Sequence, residues 1–482
     1  MNKIFDFKPF KTSLFIIITL TLIIISSFSI SAQELLIEEA IENGKENNFE
    51  LEEKHQAVKD IERERDLLEA GIDWYINFDG DYSYNSDGPS FNSPQIVESG
   101  DDLSLSLKGG KTTISGLSIS SELSLIEPEP FGFEDLDKKY QFSLQVSKRL
   151  YPILPTETEK QFIQTDNKLI IAEEELSSME KEKEIDWLES FLNVLRMQQR
   201  LEYSNESYQL ASDNLYDVKA QVEIGEAGQE QLLMTEINLR EARLQKEQLQ
   251  TGLVQAKDKF EMELGLENND FNYSYQDNDS YISQIMNRAE SINIEYSTGE
   301  IEDMLKKNNV QLLQIELNRD YAENQLKWQM KDDDVKVDSF GGYQYNPGSP
   351  TDDNDNWQVG IGVSYDFYDG GQQELKVEGI EDRIVNLEKQ YNHSLKQLKL
   401  QLQGMMDEYK INKMKQESAM TALEKARLEE ELYQKQYDQG LITEDVYKQK
   451  VLAVRQAEVE YEAAVSQVLI DKLRIALFLG EY

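Results

Sequence analysis

The side chains that most often do chemistry are nearly missing from this chain. It has two histidines, His55 and His393, and no cysteine. The commonest general base and metal ligand is therefore scarce, and thiolate nucleophiles, disulfides and sulfur-ligated metals are excluded. By pattern, both histidines are surface residues of helical stretches. No nucleophile–base arrangement, phosphate-cradling loop or metal cluster is visible, so neither an enzyme nor a cofactor is expected. Carboxylates, by contrast, abound: 92 Asp and Glu against 49 Lys and Arg give a formal net charge of −43. Such a charge disfavours nucleic acid and anionic lipid surfaces as partners. It also keeps a long helical protein soluble.

The other distinctive residues are glycines, prolines and aromatics, and the elements that position them follow from proline. Apart from Pro9, every proline lies in one of two windows. One holds Pro89, Pro94, Pro128, Pro130, Pro152 and Pro155; the other holds Pro347 and Pro350. Proline is excluded from helix interiors, so the tracts from Thr156 to Asn346 and from Thr351 onward are free to be helical. Ile384, Leu387, Tyr391, Leu395, Leu398, Leu402, Met405 and Tyr409 step by three or four residues, the pattern of a coiled-coil seam. Tyr447, Val451, Val454, Tyr461, Val465, Val468, Ile475 and Leu479 form a second stripe. A helix from Thr156 to Val222, at about 1.5 Å per residue, would be about 100 Å long, which suits a rod or a tube wall.

The proline windows read as strands. Leu103, Leu105 and Leu107 alternate with polar residues up to Gly109-Gly110, which predicts a hairpin turn there. Leu117, Ile119, Leu123 and Leu125 follow at even spacing, then Tyr140, Phe142, Leu144 and Val146. In the second window Val335 and Val337 lead to Tyr343 and Tyr345. Trp357, Val359, Ile361, Val363, Tyr365 and Phe367 then alternate with small or polar residues. This is the pattern of a strand with one face on lipid and one on water; a soluble sandwich shares it. No later stretch approaches the ~20 apolar residues of a membrane helix. At the start, Lys3, Lys8 and Lys11 precede an apolar run from Leu14 to Ile30, read as a secretory signal with Ile30-Ser31-Ala32 as its cleavage site. An uncleaved anchor is the alternative.

The chain is duplicated. Lys45-Glu46-Asn47-Asn48-Phe49-Glu50-Leu51 resembles Lys306-Lys307-Asn308-Asn309-Val310-Gln311-Leu312, and each leads through a helix to a strand ending in Tyr-x-Tyr-Asn (Tyr82 to Asn85, Tyr343 to Asn346). Gly225 and Gly440 each interrupt a helical tract, Leu264-Gly265 and Leu479-Gly480 each close one, and the two Gly-to-Gly spacings are identical. The expected division is a signal peptide at 1–32, a first repeat at 33–266 with strands at about 76–150, a linker at 267–299, and a second repeat at 300–482 with strands at about 335–368. A few strands per half cannot close a barrel, for which about eight is the practical minimum. Open edges are not tolerated in lipid, so membrane strands of this kind require several chains to share one barrel.

Over nearly its whole mature length the chain resembles the TolC family of outer-membrane efflux proteins. The resemblance rests on Leu36-Ile37-Glu38-Glu39-Ala40-Ile41 with Asn47-Asn48, on Phe367-Tyr368-Asp369-Gly370-Gly371-Gln372, on Tyr437-Asp438-Gln439-Gly440-Leu441-Ile442-Thr443, and on Leu477-Phe478-Leu479-Gly480, in that order and duplicated. It implies a mainly α fold with membrane β-strands, each copy running helix, strands, long helix, helix. It implies a homotrimer with a twelve-stranded barrel, two strands per repeat, above an α-helical barrel. It further implies an outer-membrane duct reaching into the periplasm that passively conducts substrates for an efflux or type I secretion system. Its partners would be outer-membrane lipid, a periplasmic adaptor and an inner-membrane transporter. Two departures stand out: an extra alternating hairpin around Leu103 to Leu125, and Leu150-Tyr151-Pro152-Ile153-Leu154-Pro155 where the second copy has Gly370-Gly371 at its strand-to-helix turn.

By position in that family, Tyr437 ties neighbouring helices near the inner entrance, and Glu444 and Asp445 are the carboxylates nearest the constriction. The family's aspartate ring falls on Val446 and Gln449 here. A helix start capped by Thr443, with two acids favourable to the dipole, is the other reading of Glu444 and Asp445. Gly225 and Gly440 are expected to make the inner-tip turns that dock the adaptor. Trp74, Tyr75, Trp357, Tyr365, Phe367 and Tyr368 are candidates for an interfacial aromatic girdle, with packing at the strand–helix junction as the alternative. A periplasmic adaptor and a coiled-coil structural protein of the envelope are the competing readings of the whole chain.

Overall fold

The computed structural model describes residues 33–85, 88–89, 96–97, 100–127, 140–266, 271–294, 296–346 and 355–482. The signal expected at 1–32, with its cleavage site, lies outside the described residues, as do Pro94, Pro128, Pro130, Pro347 and Pro350. The elements are α1 (Ile37–Asn47), α2 (Phe49–Gly71), β1 (Tyr75–Asn85), β2 (Gly100–Thr112), β3 (Ser118–Glu127), β4 (Tyr140–Tyr151), α3 (Glu157–Glu223), α4 (Gln229–Glu263), α5 (Tyr275–Ser291), α6 (Thr298–Asn308), α7 (Val310–Asp332), β5 (Lys336–Tyr345), β6 (Asp355–Ser364), α8 (Gln372–Asp438) and α9 (Glu444–Leu479). The duplication is written in their lengths. The opening helices have 11 residues in both copies and the next have 23. The long helices have 67 in both, and the last have 35 and 36. Among the described residues no helix is long and apolar enough to cross a membrane.

The chain forms two compact units, each drawing segments from both repeats. The first comprises the described residues within Met1–Glu52, Met179–Tyr296 and Leu402–Tyr482. Its core gathers Ile37 and Ile41 of α1, Trp187 and Phe191 of α3, Phe260 of α4, Ile282 of α5 and Leu473 of α9, all buried. Phe191, Phe260 and Tyr273 pack ring against ring with centroids 5.9 to 6.1 Å apart. The repeated asparagine has a structural role here. Asn48 Oδ1 accepts from the N–H groups of Glu50 and Leu51, capping α2, while its Nδ2 donates to the Glu263 carbonyl. Its counterpart Asn309, in the second unit, accepts from the Leu312 N–H and caps α7. The segment between repeats holds an ordered helix, α5, that its Asn- and Asp-rich sequence does not announce. Asn278 of α5 binds the Leu35 carbonyl and the Ile37 N–H, and Phe271–Asn272 pairs in parallel with Gln33–Glu34.

The second unit comprises Glu53–Ser178 and Ser297–Gln401. Its six long strands form one sheet in chain order, β1-β2-β3-β4-β5-β6, every neighbouring pair antiparallel. The first repeat supplies four strands and the second two, rather than two per repeat. The hairpin that departs from the family pattern is responsible: β2 and β3 insert between β1 and β4 as full members of the sheet. Its turn is not at Gly109-Gly110. β2 continues through both glycines because the missing Cβ of Gly110 leaves room for the Tyr75 ring, whose Cε1 would lie 2.9 Å from an added carbon. The turn falls at Thr113–Leu117, closed by Thr113 N–H to the Leu117 carbonyl (2.8 Å). β6 ends at Ser364, opposite the first residue of β5, so the alternation read through Tyr365 and Phe367 outruns the pairing.

The unit's helices neighbour one another in the order α2, α3, α7, α8. Lys54–Glu175 (2.7 Å) and Arg65–Asp166 (3.2 Å) join α2 to α3. Glu157 and Lys160 of α3 share a cavity with Gln325 and Trp328 of α7. Gln329 of α7 donates to Gln373 of α8 (2.6 Å), and Gln311 to Ser394. Glu302 of α6 holds Lys306 at 2.6 Å and also pairs with Lys399 of α8.

Hydrogen bonds from Lys306 first, and then Lys399, hold the Glu302 carboxyl at about 2. Its unfolded counterpart titrates near 4.3. The contribution of this contact to stability is therefore complete above about pH 4 and lost as pH falls towards 2. A Glu302→Gln variant is expected to melt below the parent at neutral pH, with the difference in melting temperature closing between about pH 4 and 2. A difference unchanged down to pH 2 would exclude this linkage.

Candidate functional site

Two places bring the candidate residues together: the sheet in the second unit and the helix ends in the first. The register divides the sheet into two chemically opposite faces. Phe78 lies opposite Leu107, Leu107 opposite Leu123, Leu123 opposite Phe142, and Phe142 opposite Tyr345. Two residues along, the row on the same face runs Ile76, Gly109, Ser121, Leu144, Tyr343, Trp357. Val359, Ile361 and Val363 of β6 extend this face. The other face carries Asn77, Asp79, Ser106, Lys108, Glu122, Gln145, Gln344 and Gln358, with Lys108 bridging Asp79 (3.5 Å) and Glu122 (3.7 Å). An apolar side chain on this face, Phe340, lies over Gly360.

The apolar face is not covered. Exposure is 79% for Ile76, 65% for Phe78, 78% for Val359 and 67% for Ile361. An apolar surface spanning six strands far exceeds the scattered exposed side chains of a soluble monomer, and it is the surface a lipid-facing wall requires. The strand ends differ as well. α2, α3, α7 and α8 all join at one end of the sheet, where the tight turn Thr113–Leu117 also lies. The strand ends Asn85, Gly100, Glu127, Tyr140, Tyr345 and Asp355 are at the other.

The aromatic candidates fall into two groups. Trp74, Tyr75, Tyr365, Phe367 and Tyr368 sit at the helix-side ends of the two edge strands, all exposed, with Tyr365 and Phe367 edge to face at 5.0 Å. Trp357 lies near the opposite end of β6, directly across from Tyr343. There it joins aromatics that the sequence places on strands but not among the girdle candidates. Tyr140 stacks on Tyr345 at 5.5 Å, and Phe142 meets Tyr343 at 6.2 Å. Their alternation was visible in sequence; their convergence needed the β4–β5 register, which joins residues two hundred positions apart.

The strand-to-helix turn of the second copy is built by Asp369. Its carboxylate accepts from the Gly371 N–H (2.9 Å) and the Gln373 N–H (2.6 Å), which caps α8 and lowers the Asp369 pKa, the Gln373 bond most. Gly370 and Gly371 take φ of 73° and 82°. In the first copy Thr156 caps α3 instead, accepting from the Glu159 N–H.

In the first unit, α3 turns into α4 at Gly225 (φ 80°) and α8 into α9 at Gly440 (φ 72°). Both turns close in the same way: the glycine N–H bonds back three residues, and the next N–H bonds to the carbonyl five before it, Gln221 or Gln436. Exposed Ile224 and Leu441 flank them. Tyr437 stacks on Tyr447 at 5.5 Å within its own α8–α9 hairpin, and the Tyr447 hydroxyl donates to Glu430, which raises the Tyr447 pKa. Glu444 is paired with Lys448 (2.8 Å), one turn on. Asp445 is half-buried beside it. Thr443 occupies the cap position of α9, but its side chain makes no capping bond. His393 is an exposed α8 residue, and His55 is a half-buried residue of α2. Among the described residues no group of His, Asp and Glu is placed to hold a metal.

A one-sided antiparallel sheet joined to paired long helices is the architecture of barrel-and-tunnel channels, and comparison with solved structures gives the same fold. Over 94% of each chain it is similar to the outer-membrane channel OprN, with 13% identity and a TM-score of 0.59. It is similar to the Campylobacter jejuni CmeC outer membrane channel over 92% of this chain and 86% of that one, with 11% identity and a TM-score of 0.59. The open state of the Neisseria gonorrhoeae MtrE outer membrane channel matches over 94% and 92%, with 10% identity and a TM-score of 0.55. No protein-family model and no curated protein matches the chain. The mainly α fold with a strand sheet implied by the resemblance to the TolC family is found, with two strands more in the first copy.

The left-handed backbone at Gly440 costs an ordinary L-residue roughly 1–2 kcal/mol. Gly440→Val is expected to lower the thermal midpoint of helix loss, and Gly440→Asn, which tolerates this conformation, to lower it less. Equal stability of all three proteins would contradict the assigned turn.

Proposed function

We propose that the chain is the exit duct of a tripartite efflux or type I secretion system. Three copies pool their strands into one barrel in the outer membrane, and their helices line a tunnel in the periplasm through which substrates pass passively. The observation that carries this reading is the sheet: one largely apolar face, one polar face, and two edges with no neighbouring strand among the described residues. Lipid cannot solvate open backbone edges, whereas pairing between copies satisfies them.

The remaining assignments follow from the same assembly. The aromatics at the two strand ends are interfacial girdles. The division at 1–32, 33–266, 267–299 and 300–482 is into signal, first repeat, linker and second repeat. The turns at Gly225 and Gly440 dock a periplasmic adaptor, through which an inner-membrane transporter supplies the energy. Tyr437 braces the entrance hairpin, and Glu444 and Asp445 face the constriction. The duct itself catalyses nothing.

The reading is tested by producing the full chain in a diderm bacterium. It is expected in the outer-membrane fraction, migrating as a detergent-resistant trimer that collapses to the monomer position on boiling. Reconstituted in planar bilayers, it is expected to conduct cations preferentially, less so with Glu444→Ala and Asp445→Ala together. A soluble periplasmic monomer would refute the duct, and unchanged selectivity would remove the two carboxylates from the constriction.

A further inference from the structure

The hairpin β2–β3 is where the chain departs from the family pattern, and the structure says where it goes. β2 pairs with β1 along eleven consecutive residues from Tyr75 to Asn85, and β3 pairs with β4 from Ser118 to Leu125. Its apolar residues Leu107 and Leu123 continue the row between Phe78 and Phe142. Lys108 and Glu122 continue the polar face opposite. The turn is fixed on both sides at the helix end of the sheet. Lys111 at the end of β2 pairs with Asp73 ahead of β1 (3.0 Å), and the Thr156 hydroxyl ahead of α3 donates to the Ile114 carbonyl (3.2 Å). A hairpin projecting beyond the membrane would have neither the shared apolar row nor these attachments.

Widths agree with this placement. Strands about 4.8 Å apart and tilted by about 40° each take about 6 Å of circumference, so six span about 38 Å. Four helices at about 9–10 Å spacing span about 36–40 Å. The unit joins four helices in a row, α2, α3, α7 and α8, to the six strands, so sheet and helices have the same width without crowding. Four strands would span about 25 Å and require a marked taper.

We infer that β2 and β3 are wall strands of the shared barrel, so that three six-stranded sheets close edge to edge, β1 of one copy on β6 of the next, into eighteen strands rather than twelve. The inference rests on the duct reading and its three copies. An eighteen-stranded wall has a backbone diameter of about 36 Å, against about 24 Å for twelve. Walls of sixteen to eighteen strands leave an open aqueous channel, so the outer exit is built for bulky or hydrated cargo, lined by the polar face of the hairpin.

The chain has no cysteine, which allows a direct test. Partners across an antiparallel pair are close enough for a disulfide. In outer membranes, oxidised Asp79→Cys with Ser106→Cys, and Glu122→Cys with Ser143→Cys, are each expected to cross-link within one chain. Asp79→Cys with Ser143→Cys is expected to stay unlinked. Electron micrographs of the unmodified trimer, viewed down its axis, are expected to show a wall about 36 Å across. A trimer with a wall near 24 Å, or with the Asp79→Cys/Ser143→Cys pair linked and the other two free, would overturn the inference and leave the duct standing. A soluble monomer would end both.

Discussion

The structure turns on an unsatisfied edge. A β-strand exposes a row of N–H and C=O groups to each side, and β1 and β6 each have one side without a partner among the described residues. In water such an edge is tolerable. Beside lipid each unpaired group costs several kcal/mol, and the same sheet carries an apolar face six strands wide that only lipid or another apolar surface can cover. On the proposed reading, closure with further copies of the same sheet pairs the edges and lipid covers the face. Assembly is then part of the fold's energetics, because the single chain leaves its apolar sheet face and both sheet edges uncompensated.

Everything else serves to hold that sheet on a long helical body. Each repeat enters the sheet from a 23-residue helix capped by asparagine and leaves it into a 67-residue helix, capped by Thr156 in one copy and by Asp369 in the other. The helices are joined largely by exposed ion pairs and side-chain hydrogen bonds, such as Lys54–Glu175 and Arg200–Glu460, individually worth little. The dense apolar core lies in the first unit around Trp187, Phe191 and Phe260, where both repeats contribute. An acidic, thinly packed chain of this kind is suited to a wall with water on one side rather than to a globule around a buried site.

Much of this was legible in the sequence. The stripes at Leu395, Leu398, Leu402, Val468 and Ile475 are buried as their period requires. The paired glycines fall at helix ends with positive φ; alternation located β2 to β6, and the duplication located β1. What escaped has physical causes. Gly109-Gly110 reads as a turn because glycine permits one; that it instead makes room for Tyr75 depends on a neighbouring strand. Alternation through Tyr365 and Phe367 persists past the point where β5 has any residue left to pair. The stacking of Tyr140 on Tyr345 and the insertion of the hairpin depend on pairing between distant strands, which local pattern does not encode. At the α8–α9 turn, the family resemblance singled out Tyr437 and Glu444, but their neighbours Tyr447 and Lys448 emerge only when the hairpin is folded.

The two faces of the sheet provide the most direct measurement. Single cysteines placed along β6 in the otherwise cysteine-free chain, in intact outer membranes, are treated with a charged, membrane-impermeant thiol reagent. The account predicts strict alternation: labelling at positions 358, 360 and 362, and protection at 359, 361 and 363. Uniform labelling along the strand, as for a sheet surrounded by water on both faces, would contradict it.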